Sequence, residues 1–152
     1  MEQEQEYLNE YRCKIIRVID GDTVDIDIDL GFDIILSNQR VRLYGIDTPE
    51  SRTSDDVEKV FGNLSKDFVK HALPVGSYQT LRTNHDATGK FGRILGEFMV
   101  TVDGRRTTIN EEMIKRNLAV RYFGQSKEEI VEEHLANRKI LEERGMSYGS
   151  DI

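Results

Sequence analysis

Two short runs hold the residues whose types could do chemistry: Asp20-Gly21-Asp22-Thr23, and Arg42 followed by Asp47-Thr48-Pro49-Glu50. A third run, Lys90-Phe91-Gly92-Arg93, adds a second arginine. Together they offer carboxylates for a hard cation, a further carboxylate able to act as a base, and guanidiniums shaped for phosphate. A cation, a base and paired guanidiniums are the parts needed to hydrolyse a phosphodiester. Each part alone is bland. Asp-Gly-Asp-Thr is a common turn, Asp-Thr-Pro-Glu a plausible loop, and Arg93 a surface charge or a partner for Glu97. The specificity lies in the combination and its order.

The elements that must position these groups follow from the apolar pattern. Tyr11 to Asp20 is rich in β-branched residues, and Thr23 to Leu30 alternates, with Val24, Ile26, Ile28 and Leu30 on one face. Asp25, Asp27 and Asp29 take the other face, expected to be solvated and to discourage edge pairing. Phe32 to Leu36 reads as a long hairpin end, followed by a strand over Gln39 to Ile46. From Ser54 to Leu73 the period turns helical, with Val57, Val60, Phe61, Leu64, Phe68, Ala72 and Leu73 as the apolar stripe and Pro74 and Gly76 as the stop.

Strands are expected over Tyr78 to Thr83 and Ile94 to Val102, with a tight return at Asp103-Gly104 into Arg105 to Thr108. A second helix is expected with Asn110 as N-cap, and with Ile109 and Ile114 as a hydrophobic staple; it should end near Asn117. The third opens with the capping box Ser126-Lys127-Glu128-Glu129, buries Ile130, Val131, Leu135 and Leu141, and stops at Gly145. Five strands with a helix between the third and fourth suit a small Greek-key barrel of the oligonucleotide-binding kind, an α+β fold with three helices.

Within that frame Asp22 shares the parity of Val24 and Ile26 and should point inward, where a carboxylate needs a partner or a metal. Oxygen ligands without His or Cys favour calcium over magnesium or manganese. Arg42 and Asp47 have opposite parity on a regular strand, so irregular backbone is expected around Gly45 to Thr48. Pro49 should hold Thr48 extended and leave its carbonyl free for a cation.

Composition bounds the rest. The 152 residues suit one domain: an acidic extension over residues 1–10, the domain over 11–145, and a flexible tail over 146–152. A net charge of -7, from 21 basic and 28 acidic residues, works against long-range attraction to nucleic acid, so any such substrate must be held by a local cleft and a cation. Arg40, Arg52, Arg82, Lys90 and Arg121 are the basic candidates for that groove. The acidic start is unlike a secretory signal, and no run is long enough to span a bilayer, so a cytoplasmic protein without membrane or obligate protein partner is expected. The lone Cys13 reads as a buried structural thiol.

These residues resemble the staphylococcal (thermo)nuclease-like domains. The resemblance runs from about Tyr11 to about Gly145 and rests on Val18-Ile19-Asp20-Gly21-Asp22-Thr23-Val24, on Arg42-Leu43-Tyr44-Gly45-Ile46-Asp47-Thr48-Pro49-Glu50 and on Lys90-Phe91-Gly92-Arg93. It implies a five-stranded oligonucleotide-binding-type barrel with three helices, and calcium-dependent hydrolysis of DNA and RNA to 3′-phosphate ends. By that resemblance Asp22, Asp47 and the Thr48 carbonyl are the metal ligands. By the same resemblance Glu50 activates or orients the attacking water, and Arg42 and Arg93 grip the phosphate.

Lys90 is implied as a phosphate contact and Phe91 as a stacking ring. Tyr122 and Phe123 fall near aromatics that pack on a base, with an ordinary core edge as the equal alternative. The stretch between Asp22 and Asp47 is longer than in the best-known member, which should lengthen a hairpin without touching chemistry. His71, His85 and His134 match no catalytic position and are expected to be structural or superficial. Low sequence preference is expected, because these groups address phosphate and base faces. The alternatives are a non-catalytic module binding nucleic acid or protein, and an acidic interaction protein whose metal only stabilises the fold.

Overall fold

Alternating apolar residues build the wall of a barrel. In the computed structural model, which describes residues 9–88, 93–150 and 152, β1 (Glu10–Asp20), β2 (Thr23–Asp29) and β3 (Ile35–Leu43) form a meander. Val24, Ile26 and Ile28 of β2 are at most 3% exposed and share the core with Ile15, Val18, Val41 and Leu43 of the neighbouring strands. After β4 (Ile46–Asp47) and α1 (Asp56–Ala72) the chain returns as β5 (Tyr78–Thr88), β6 (Ile94–Val102) and β7 (Arg105–Thr108). The sheet order is β3-β2-β1-β5-β6-β7, and a parallel pairing of β3 with β6 closes five of these strands into a barrel. The expected fold is the one observed: a closed oligonucleotide-binding-like barrel, α+β, with three helices.

The helices are α1, α2 (Ile109–Lys115) and α3 (Lys127–Glu143), and β8 (Val120–Arg121) lies between the last two. Asp55 caps α1, its side chain accepting from the backbone N–H groups of Val57 and Glu58. Phe61, Phe68 and Val69 drive α1 onto the barrel, whereas Val57 and Val60 are 56% and 53% exposed and lie off the buried stripe. The N-cap of α2 is Thr108, which accepts from Glu111 N, rather than Asn110. Asn110 is instead buried inside the first turn. It donates to the carbonyls of Tyr44 (2.9 Å) and Gly96 (3.4 Å), tying the ends of β3 and β6 together.

Asn117 is left-handed at φ 65°, and the Asp103-Gly104 turn has φ 51° and 77°, both as their residue types require. The β2–β3 hairpin reaches beyond the barrel, leaving Leu30 and Phe32 exposed. Cys13 is buried, and that burial pushes its thiol up to about 12. The segment after Gly145, expected to be loose, lies against α1 and the end of α2. The Tyr148 ring meets Phe68 edge-on at 5.2 Å, and Arg116 donates to the carbonyls of Tyr148 and Ser150.

Two sequence expectations change on burial. Asp25 is not on a solvated face: it is 2% exposed and receives Arg40 through two nitrogens, at 2.8 and 3.1 Å, and Arg17 at 2.8 Å. The hydrogen bonds from Arg40 hold its carboxyl below the usual range; burial opposes them and Arg17 adds to them. The second concerns α3. Val131 and Leu135 are 47% and 50% exposed, and the face turned to the barrel carries Ile130, His134, Asn137, Arg138 and Leu141. Polar groups dominate that face, so a reading of apolar periodicity selects the wrong side.

Candidate active site

The β1–β2 hairpin turns at Gly21-Asp22, with Asp20 opposite Thr23. Leu43 N donates to the Asp22 carbonyl (2.9 Å), and Thr23 pairs with Arg42, so this turn is pinned to the end of β3. There the chain leaves the barrel. Gly45 is left-handed at φ 77°, which breaks the expected third strand into β3 and β4 and resolves the parity conflict between Arg42 and Asp47. β4 then pairs with β8, Ile46 opposite Arg121 and Asp47 opposite Val120, and Tyr122 N donates to the Gly45 carbonyl (2.8 Å).

These elements bring Asp22, Arg42, Asp47 and Thr48 together. The Arg42 guanidinium donates to the carbonyls of Ile46 (2.9 Å) and Leu43 (3.1 Å), which fixes its plane. From there one nitrogen lies 3.5 Å from Asp22 Oδ2 and the other 3.6 Å from Asp47 Oδ1. Thr48 N is 3.4 Å from Asp22 Oδ2. Burial pushes the Asp22 carboxyl up. Arg42 and the hydroxyl of Thr23 pull it down, and Asp20 and Asp47 add to the rise. Thr48 is 5% exposed, and its Oγ1 is buried without a hydrogen-bond partner among the described residues.

Arg93 joins from the other side of the closure. Arg42 is opposite Leu95, and Arg93 stands two residues earlier, so extended backbone gives all three side chains one face. Arg42, Asp47, Arg93, Leu95, Tyr122 and Phe123 line a single cleft of about 670 Å³. Tyr122 and Phe123 are 46% and 76% exposed, so both rings present surface to this cleft. Lys90 and Phe91 lie outside the described residues.

Glu50 is exposed on the loop after β4. Its backbone is held twice: Glu50 N donates to Glu58 Oε2 (3.1 Å), and the Glu50–Ser51 peptide lies against α1 at Gly62. A Cβ at Gly62 would stand 2.3 Å from the Glu50 carbonyl oxygen, so this approach requires glycine. Of the basic groove candidates, Arg40 is engaged by Asp25, Arg82 lies 3.6 Å from Glu97, and Arg121 makes a two-pronged pair with Glu111. Glu97 thus has Arg82 as a neighbour.

The chemistry of the donors fits a hard cation. They are oxygens throughout: one carboxylate raised by burial, a second facing the same guanidinium, and an unpartnered hydroxyl beside them. Among the described residues no cluster of three His, Cys, Asp or Glu could hold a metal ion. One member of the site escaped sequence reasoning. His134 of α3 contacts Asp47 Oδ2 through Nε2 at 2.8 Å. Its signal was present in the helical spacing of Ile130, His134, Asn137, Arg138 and Leu141.

A barrel closed at β3–β6, with two carboxylates around a half-buried arginine at its rim, defines the class. The chain belongs to the staphylococcal nuclease homologue family, whose pattern matches residues 40–143. It is 33% identical over 113 residues to a thermonuclease of Staphylococcus hyicus, covering 73% of this chain and 59% of that protein. A thermonuclease of Staphylococcus intermedius is 40% identical over 81 residues, 52% of this chain and 43% of that one. Endonuclease YhcR of Bacillus subtilis (strain 168) is 29% identical over 119 residues, 75% of this chain but 9% of that protein. The chain therefore spans well under two thirds of these relatives. Among the described residues no helix is long and apolar enough to cross a membrane.

Proposed function

We propose that this protein is a calcium-dependent nuclease that hydrolyses phosphodiester bonds of DNA and RNA with little sequence preference, leaving 3′-phosphate ends. The observation that carries this reading is Arg42 set between Asp22 and Asp47, at 3.5 and 3.6 Å, on a cleft shared with Arg93 and two exposed aromatics. Asp22, Asp47 and the Thr48 carbonyl are the groups that would hold calcium; magnesium or manganese suits the same oxygens less well. When bound, the cation supplies positive charge to a phosphate oxygen as negative charge builds there.

The protein's own residues do the rest. Arg42 and Arg93 present permanently charged, bidentate donors to the equatorial oxygens. Glu50, exposed on the loop after β4, accepts a proton from the attacking water. Tyr122 and Phe123 offer rings on which bases stack without being read, and Lys90 and Phe91 complete the substrate contacts. With the net charge at -7, non-specific attraction is weak, and a local grip must suffice.

The test is plasmid degradation with calcium, with chelator, and with Glu50→Gln. Cleavage that needs calcium and falls at least about a hundredfold in Glu50→Gln supports the reading. Degradation indifferent to chelator defeats the cation's role. If no cation supports cutting and the protein still retards DNA in a gel, it is a binding module.

A further inference from the structure

α3 reaches the site through one side chain. His134 is 12% exposed at the side chain, and its Nε2 lies 2.8 Å from Asp47 Oδ2. A carboxylate only accepts, so Nε2 carries the hydrogen and donates. The other oxygen, Oδ1, is the one facing Arg42 at 3.6 Å. The two oxygens of Asp47 are thereby divided: one is occupied by the helix, the other turned to the cluster with Asp22.

From this division we infer that His134 is a positioning residue for the cation site, holding Asp47 in one orientation and making it a one-oxygen ligand. The inference rests on the calcium reading above. A ligating carboxylate free to rotate must lose that freedom on binding. One already fixed by a hydrogen bond to its far oxygen has lost it beforehand, and such outer partners are worth tenfold or more in metal affinity. The packing of α3 gives the bond a second consequence. Its inner face is mostly polar, with Asn137 donating to the Ala119 carbonyl (3.3 Å) and Arg138 lying 5.4 Å from the Phe61 ring centre. Leu141 is its one buried side chain. With so little apolar anchoring, polar bonds dock the helix, the His134–Asp47 bond among them, with Asn117 donating to Asn137 (3.0 Å) and Arg144 to the Arg116 carbonyl (2.6 Å). By linkage, whatever orders Asp47 also steadies α3.

The experiment is calcium titration calorimetry on the full chain as wild type, His134→Leu and His134→Gln, with the calcium-free melting temperature of each. Leucine keeps the bulk and removes the donor, whereas the glutamine amide can restore it. Positioning predicts a calcium Kd about tenfold weaker in His134→Leu and within about threefold of wild type in His134→Gln. It also predicts that calcium slows amide exchange along α3 in wild type and much less in His134→Leu. Equal Kd values for wild type and His134→Leu overturn the inference while leaving the calcium reading intact. Glutamine failing as badly as leucine, with both melting temperatures equally lowered, reduces His134 to a structural contact and overturns it too. A wild type that takes up no calcium defeats the calcium reading itself, and this inference with it.

Discussion

Substituting alanine at Gly62 tests whether helix packing sets the position of Glu50. The new Cβ would lie 2.3 Å from the Glu50 carbonyl oxygen, 2.4 Å from its carbon and 2.6 Å from Ser51 N. Ordinary contact begins near 3.4 Å, and all three neighbours are backbone, so no side chain can swing aside. A displacement of about 1 Å is required. Helix α1 cannot supply it cheaply, since Phe61, Phe68 and Val69 are 3%, 1% and 0% exposed. The Glu50 loop therefore yields.

Overpacking costs about 1–3 kcal/mol, and the better helix propensity of alanine returns about 1 kcal/mol. The net loss of up to about 2 kcal/mol corresponds to a melting temperature lower by at most about 8 °C for a domain of this size. Misplacing a catalytic base by about 1 Å costs on the order of a hundredfold in turnover. The expected outcome in a steady-state nuclease assay is a large fall in kcat with KM and calcium affinity nearly unchanged. A variant that melts higher than wild type and turns over normally would refute the reasoning, showing that the loop neither touches α1 closely nor depends on it.

Phe123→Ala should raise KM for single-stranded oligonucleotides by roughly 5- to 150-fold, the worth of one stacked base. Because Phe123 is 76% exposed, its melting temperature should stay at the wild-type value. Asp25→Asn should cost about 1–3 kcal/mol at neutral pH, from lost charge-assisted hydrogen bonds to Arg40 and Arg17. The folded carboxyl is held below its ordinary 3.8, so this stability is complete above that value and lost as pH falls through the depressed one. Denaturant melts of wild type and variant should accordingly converge in acid. Asn110→Ala should destabilise by about 1–3 kcal/mol in the same melts, because the Tyr44 and Gly96 carbonyls lose their donor.

Much of this molecule can be read from its chain. Val24, Ile26 and Ile28 announce a wall by alternation, and Asp103-Gly104 and Asn117 announce left-handed turns. The carboxylates of the cluster were legible because Gly45 offered the only local remedy for the parity clash between Arg42 and Asp47. What failed was inference from polarity. Asp25 looked solvated because alternation sorts faces and cannot see Arg17 and Arg40 arriving from neighbouring strands. Val131 and Leu135 looked buried because apolar spacing was weighed and polar spacing was not. His134 matches no catalytic position of the family, so the resemblance gives it no role. Its partner Asp47 is remote in sequence, and only the assembled β4–β8 pair shows that α3 passes over it.

The seam that completes the barrel is three residues long, with Val41, Arg42 and Leu43 laid beside Ile94, Leu95 and Gly96. Arg42 thus lies in the seam itself while its guanidinium stands between Asp22 and Asp47. Strands this distant in the chain can meet only after the intervening loop has been gathered, which makes their union slow relative to local structure. On the proposed function, a chain halted short of this union would lack a placed guanidinium to hold a phosphate, so cleavage would await the last step of folding.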